Sequence, residues 1–485
     1  MEMVIFPIRT TLSRVAIPVI GLALVALLAI LYINHPHVYN KFISATILYV
    51  QYSHPFIDWE WIISSIECWH KGVDVYLNNT CYVPIANMSW VYSPVWLRLT
   101  FIRFAEGCTN FFGLSFAVLF FLSLAYLPRR RTGTLDFVTL LFSAISSATV
   151  FALERANADV IMFLMIIVGV LACGSRLPVR LAGYALITLA GLLKFYPLAA
   201  LIIVVHERPA IFATIAFAAT AVLGGLVFSY HDEVLQVVVS LSSWTVPFNP
   251  FQWGARDLPG GLSKVATRLF DQDPTSAEAI GQLVYNVLLL LLILQALAAA
   301  IWLGRRCRLQ SAVANLDKRE ADFLLAGAAL ICGCFFAGES ALYRAIFLLL
   351  ALPGLLALAH QFPLHLARVA FRSACVAIVF VLWYRFVRKS VRLAVAALGK
   401  PINSNYLLMG DNGLDRALQF VVWLCDQLAW WWIASVLLAV LGALVLNSEL
   451  WAALSPLLPL SPGACIARLQ PSGGSTKRIK QLYHL

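Results

Sequence analysis

Charge is what this sequence has least of: 12% of its 485 residues are Asp, Glu, Lys or Arg, while 61% are hydrophobic and the mean hydropathy is +0.83. A soluble domain carries about 25% charged residues. The composition therefore excludes a water-soluble protein and predicts an all-α polytopic membrane protein. Long alternating apolar and polar runs are missing too, which excludes a transmembrane barrel. The ten cysteines show no zinc or redox spacing. Cys332 and Cys334, one residue apart in an apolar run, suit packing. Neither an internal repeat nor a low-complexity segment is evident. The net charge of +11 comes from basic residues scattered between apolar runs and gathered in short loops, so membrane topology explains it and no nucleic-acid partner is expected.

The apolar runs predict about 11–12 transmembrane helices. The first, 15–33, follows Arg9 and Arg14 in the charge order of a signal peptide, but it is too long and lacks a cleavage site. It reads as an uncleaved span with its N-terminus in the cytoplasm. Arg129 to Arg131, Arg176 with Arg180, and Arg305 with Arg306 and Arg308 then mark cytoplasmic turns. Three long outer loops follow from this alternation, at 35–110, 229–280 and 385–425. Roughly 19 of the 35 basic residues fall inside and roughly 16 outside, with the bias concentrated in the short loops that decide orientation. The run 181–205 is broken at Leu193 to Pro197, which predicts two short arms meeting in a kink near the outer face. Val95 to Phe104, interrupted by Arg98 and Arg103, is expected to lie along the interface. The membrane domain occupies 1–450, and 451–485 reads as a loose cytoplasmic tail with Lys477, Arg478 and Lys480.

This topology brings scattered polar residues to one face. They are Asp58 in an acidic and aromatic island; the turn with Glu154, Arg155, Asn157 and Asp159; Lys194 with Tyr196; and the turn with Glu339 and Arg344. Ionisable residues at a membrane boundary are costly and mark substrate or ion sites by default. Each group has a plainer reading. The tryptophans around Asp58 suit an interfacial belt. Arg155 and Asp159 are spaced to pair along a helix start capped by Asn157, and Glu339 and Arg344 to neutralise each other across a turn. Lys194, between Leu193 and Phe195, calls for an anion. Cys68 and Cys81 share the first outer loop, where a disulfide and two free thiols are both open.

Six features carry a resemblance to the C-type integral-membrane glycosyltransferases, in particular glycosyltransferase family 87 with its polyprenol-phosphate-mannose-dependent mannosyltransferases. They are Asp58 after the first span, Gly72 to Tyr76, Tyr92-Ser93-Pro94, the Glu154 to Asp159 turn, Leu193 to Pro197, and Tyr343-Arg344. The resemblance runs in order over 15–360. It implies a sugar, likened to mannose, moving from a polyprenyl-phosphate-linked donor to a glycolipid or glycan acceptor on the extracytoplasmic side, with inversion. Asp58 then takes the acceptor proton, and Lys194 and Arg344 hold the departing phosphate. Glu154, Arg155, Asn157, Asp159, Tyr196 and Glu339 complete the substrate site. Some relatives pair aspartates on a metal. Here Asp58 is followed by Trp59 and Glu60, whose side chains diverge on a helix, so no metal and no cofactor are expected.

Two rivals belong to other classes. A secondary transporter or lipid-linked-sugar flippase suits twelve crossings and a broken helix, but its charges lie near mid-bilayer and its halves often match. A polysaccharide ligase or acyltransferase would use a His or Arg of a large outer loop, for which His54 and His231 are available. The asymmetric outer loops favour a bacterial inner membrane. In a eukaryotic lumen, Asn78 to Thr80 and Asn87 to Ser89 would be glycan acceptors.

Overall fold

The computed structural model describes residues 8–46, 54–77, 89–99, 107–128, 133–242, 248–249, 251–269, 274–362, 365–399 and 413–457. Among them, ten helices are long and apolar enough to cross a membrane, so the chain is a multi-pass helical membrane protein. Two shorter apolar helices, Ala158–Cys173 and Tyr196–His206, occupy positions that the sequence assigns to further crossings.

Burial sorts the spans. Lys318–Ala337 and Leu342–Gln361 have 78% and 89% of their apolar windows buried and form the centre. Their backbones meet closely at Gly327, where an added Cβ would lie 2.7 Å from the Ala351 nitrogen. Small residues at such a crossing let two helices pack where lipid offers no hydrophobic drive. Val15–Asn34, Pro209–Ser229 and Ala277–Arg306 are 17%, 6% and 11% buried, and their apolar side chains face outward. These are the peripheral spans.

The broken element differs from expectation. Its first arm is a full helix, Leu177–Lys194, rather than a short one. Phe195 then takes φ +58°, and Tyr196–His206 returns as a 3-10 helix. The steric cost of positive φ at a bulky residue requires support from its surroundings. Of the Val95 to Phe104 stretch, residues 95–99 are described. Pro94–Leu97 is a short helix with Trp96 and Leu97 buried, and the Trp96 indole N–H donates to the Leu193 carbonyl at 3.0 Å. Arg98 is held by Glu233 at 2.7 Å and lies 4.1 Å above the Tyr230 ring, while Arg103 lies outside the described residues.

The long loops are structured. Within 229–280 lie the helices His231–Ser242 and Asp257–Leu269 and the strand β1, Gln252–Gly254. β1 pairs antiparallel with β2, Glu339–Ala341, matching Gln252 with Ala341 and Gly254 with Glu339. This ribbon qualifies the all-α expectation. Within 385–425, His365–Ala397 and Gly413–Leu446 continue as helices of 33 and 34 residues. At 1.5 Å per residue each is about 50 Å long, well beyond a hydrocarbon core of about 30 Å. The expected basic tail lies outside the described residues from 458 onward, as do Arg129 to Arg131.

Candidate functional site

Four turns at one end of the helices converge. Glu154 ends one helix and Asn157 caps the next, its side-chain oxygen accepting from the Asp159 amide at 3.0 Å. Lys194 ends the first arm of the broken element, and Tyr196 begins the second. Arg344 lies in a 3-10 turn just after β2. Asp58 sits in the first turn of the helix Ile57–His70. That helix start is stapled to the Glu154 turn by two backbone bonds, from Phe56 N–H to the Glu154 carbonyl at 2.6 Å and from Asp58 N–H to the Arg155 carbonyl at 3.1 Å. Phe56, Ala156, Phe195 and Phe248 are four of the five described non-glycine residues with positive φ, and each lies within two residues of a group in the site. Held backbone strain of this kind clusters where side chains must be aimed.

The side chains form one connected network. Asp58 accepts from Arg155 Nε at 2.8 Å and from its Nη2 on one oxygen, and from Asn157 Nδ2 at 2.6 Å on the other. Asn157 Oδ1 in turn accepts from Lys194 Nζ at 3.1 Å. Asn157 is therefore the bridge between Asp58 and Lys194. Lys194 also donates to Asp159, which accepts from the Tyr196 hydroxyl at 2.6 Å and lies at ion-pair distance, 3.6 Å, from Arg344 Nε. Arg344 donates to Ser340 Oγ at 3.3 Å. Tyr92 and Tyr343 put ring centroids 4.8 and 5.5 Å from the Lys194 ammonium, and Tyr196 puts its ring 4.9 Å from the Arg344 guanidinium. Aromatic faces stabilise desolvated cations without neutralising them.

Asp58, Arg155, Lys194, Tyr196, Glu339 and Arg344 all line one cavity of about 620 Å³. Asn157 and Asp159 are fully buried behind it and position the lining groups. Of the five network charges, three are cations and two carboxylates, which leaves one positive charge for a ligand to balance. The two plainer pairings do not form. Arg155 bonds Asp58 rather than Asp159, and Arg344 turns to Asp159 rather than Glu339. Two of the island's three tryptophans do not form a belt: Trp59 and Trp61 are buried while Trp69 is partly exposed, Trp61 packs 5.3 Å from Trp90 and 5.5 Å from Tyr92, and Trp61 and Tyr92 line the cavity.

Glu154 departs from its expected partners. It lines a second, apolar cavity of about 210 Å³, walled by Leu24, Leu28, Phe56, Ala117 and Phe121 from the first two spans and the staple. Arg155 and Glu154 thus stand back to back between a polar and an apolar space.

Glu60 pairs with His54 and leaves Asp58 to Arg155 and Asn157, as divergence along a helix requires. Among the described residues, no group of three or more His, Cys, Asp or Glu is placed to hold a metal ion. Cys68 is disulfide-bonded, and Cys81 lies outside the described residues. Cys332 and Cys334 are buried free thiols.

Sequence reasoning left Asn249, Gln252 and Arg256 out of the site, and they line the same cavity as Glu339. Their signal was the polar Asn249 to Arg256 stretch in a loop among apolar spans. No protein-family model, curated protein or solved structure matches the chain.

Proposed function

We propose that the protein is a glycosyltransferase of the C-type integral-membrane kind, moving a hexose from a polyprenyl-phosphate donor to an acceptor hydroxyl on the extracytoplasmic side. The observation that carries this reading is the bridge through Asn157: a carboxylate with an open lone pair and a buried ammonium face one cavity through a single amide. The Oδ2 atom of Asp58 accepts one described bond and retains a second acceptor position. Lys194 has two hydrogen-bond acceptors for its three N–H groups, and Arg344 Nε makes no hydrogen bond. Unfilled donors on pre-placed cations suit a phosphate whose charge grows as it departs. The apolar cavity beyond the staple, walled by lipid-facing spans, suits the isoprenoid chain.

In the reaction so read, the acceptor oxygen forms a bond to the anomeric carbon while the bond from that carbon to the phosphate oxygen breaks. The bonding pair leaves with the phosphate, giving polyprenyl phosphate, and the hydroxyl proton passes to Asp58. Arg155 and Asn157 hold the carboxylate in one orientation by hydrogen bonds to both of its oxygens. Attack opposite the leaving phosphate inverts the anomeric centre.

The test uses full-length protein in nanodiscs with a radiolabelled polyprenyl-phosphate hexose. Transfer of label that Asp58→Asn abolishes, with donor still bound, supports the proposal. Vectorial movement of the intact donor with no turnover would instead identify a flippase.

A further inference from the structure

One peripheral span carries a polar side chain that its own fold leaves unused. The helix Pro274–Arg306 packs against Asp257–Leu269 and Gly413–Leu446, with Ala296, Ala300 and Leu303 buried. Its other face is open. Leu290, Leu291, Leu294 and Ile301 are each more than half exposed, as side chains that face lipid should be. Gln295 lies among them and is exposed too. It is the one polar residue in the run 287–304 and stands at the centre of that run. The basic pair Arg305 and Arg306 ends the helix and marks where the span leaves the hydrocarbon. At 1.5 Å per residue, Gln295 is about 15 Å from that boundary, the middle of a core about 30 Å thick.

An amide at that depth has no water to bond and is costly without a partner. Its side chain is too short to reach either boundary. Among the described residues none bonds it, whereas the buried Gln419 accepts from Arg388 Nε at 2.6 Å, and Gln282, toward the other end of the same helix, donates to Asn286 at 3.3 Å. We infer that this face is the interface of a two-fold dimer, in which Gln295 bonds Gln295 of a second copy. A carboxamide holds both a donor and an acceptor, so it is complementary to itself. A two-fold axis along the membrane normal sets the same residue at the same depth on both chains, which makes a second copy the occupant that matches this amide without further requirement. The surface around it suits close pairing. Leu291, Gln295, Ala298 and Trp302 are all exposed at spacings of four, three and four, the seam of two helices crossing at a shallow angle. Ala298, one turn from the amide, is small enough to let the backbones approach. No residue lining either cavity lies on this helix, so pairing leaves both open.

The test is energy transfer between full-length copies tagged at the C-terminus with donor or acceptor fluorophores, reconstituted together in phosphatidylcholine liposomes and diluted with lipid. Wild type should show transfer that rises linearly with acceptor fraction, as a dimer requires. Gln295→Leu, an exposed apolar replacement that the fold accepts, should weaken association about tenfold. Gln295→Asn should recover most of it. In native membranes, a photoreactive benzophenone in place of Ala298 should cross-link two copies, and one in place of Phe217, 77% exposed on the peripheral span Pro209–Ser229, should not. Absence of transfer in wild type, or association that Gln295→Leu leaves unchanged, would overturn the inference. So would cross-linking from position 298 to a different protein, or between copies from position 217 alone.

Discussion

Among the described residues, both ends of the helices hold ion pairs with buried carboxylates and use them differently. At the end opposite the site, Arg180 Nε lies 2.8 Å from Glu207, which also accepts from the Tyr184 hydroxyl at 2.8 Å, and His360 meets Asp136 at 2.7 Å. These are local ties. Arg180 and Lys194 lie on one helix, about 20 Å apart at 1.5 Å per residue, and the 3-10 segment after Lys194 returns the chain to Glu207. At the site end, groups from four separate segments share partners through Asn157 and Asp159 and border a cavity. Pairing closes off charge, whereas a network with a surplus leaves some for a ligand.

Substitutions at the two ends should separate these roles. The largest effect is expected from Asp58→Asn, which removes the proton acceptor while keeping the shape. Sugar transfer should fall by about 10²–10⁴-fold with donor affinity nearly unchanged, measured by label transfer beside equilibrium binding. Next comes Lys194→Met. Loss of one charge-assisted contact costs about 1.5–3 kcal/mol, so donor affinity should fall about 10- to 100-fold. At the other end, Glu207→Gln should lower thermal stability in detergent and leave turnover per folded molecule within about twofold of wild type. A loss of transfer comparable to that of Asp58→Asn would erase the distinction between the ends.

The smallest expected effect is a pH slope. Burial pushes the Glu339 carboxyl up to about 7, against a pull from Arg256 in the other direction, from an ordinary value of 4.5. The native state therefore keeps this proton in a range where the unfolded chain has released it. Its contribution to stability is fully present below about pH 4.5 and is lost as pH rises through about 7. Thermal midpoints from pH 5 to 8 should decline more steeply in wild type than in Glu339→Gln. Equal slopes would place the titrating group elsewhere.

Much of this was legible because membrane segments announce themselves. Apolar runs and short basic turns located the crossings, and the ionisable residues left over at the turns were few enough to name. Asp58, Lys194 and Arg344 could be assigned to one face because the alternation of spans put them there, and Lys194 stood out because nothing beside it in the sequence supplies an anion. What stayed hidden was pairing. Nothing in the spacing of Arg155 and Asp159 says that the first turns to Asp58, 97 positions away, and the second to Lys194. Asn157 was legible as a cap, but its amide has two ends and only the fold shows that the second reaches Asp58. The ribbon was missed because strands of three residues carry too little periodicity to read. Helix through much of 385–425 was missed for a different reason. Arg385, Arg388 and Arg392 looked like solvated loop, whereas Arg385 is buried with its guanidinium 3.5 Å from the Phe251 ring, beside the cavity.

The most direct test of the shared cavity is a cryo-EM structure of the Asp58→Asn protein in nanodiscs with a bound polyprenyl-phosphate hexose. The phosphate should lie within hydrogen-bond reach of Lys194 and Arg344, with the sugar's anomeric carbon toward position 58 and the chain leaving toward the lipid-facing spans. Phosphate density at the Arg180 and Glu207 end, or anywhere that Lys194 does not reach, would contradict the account.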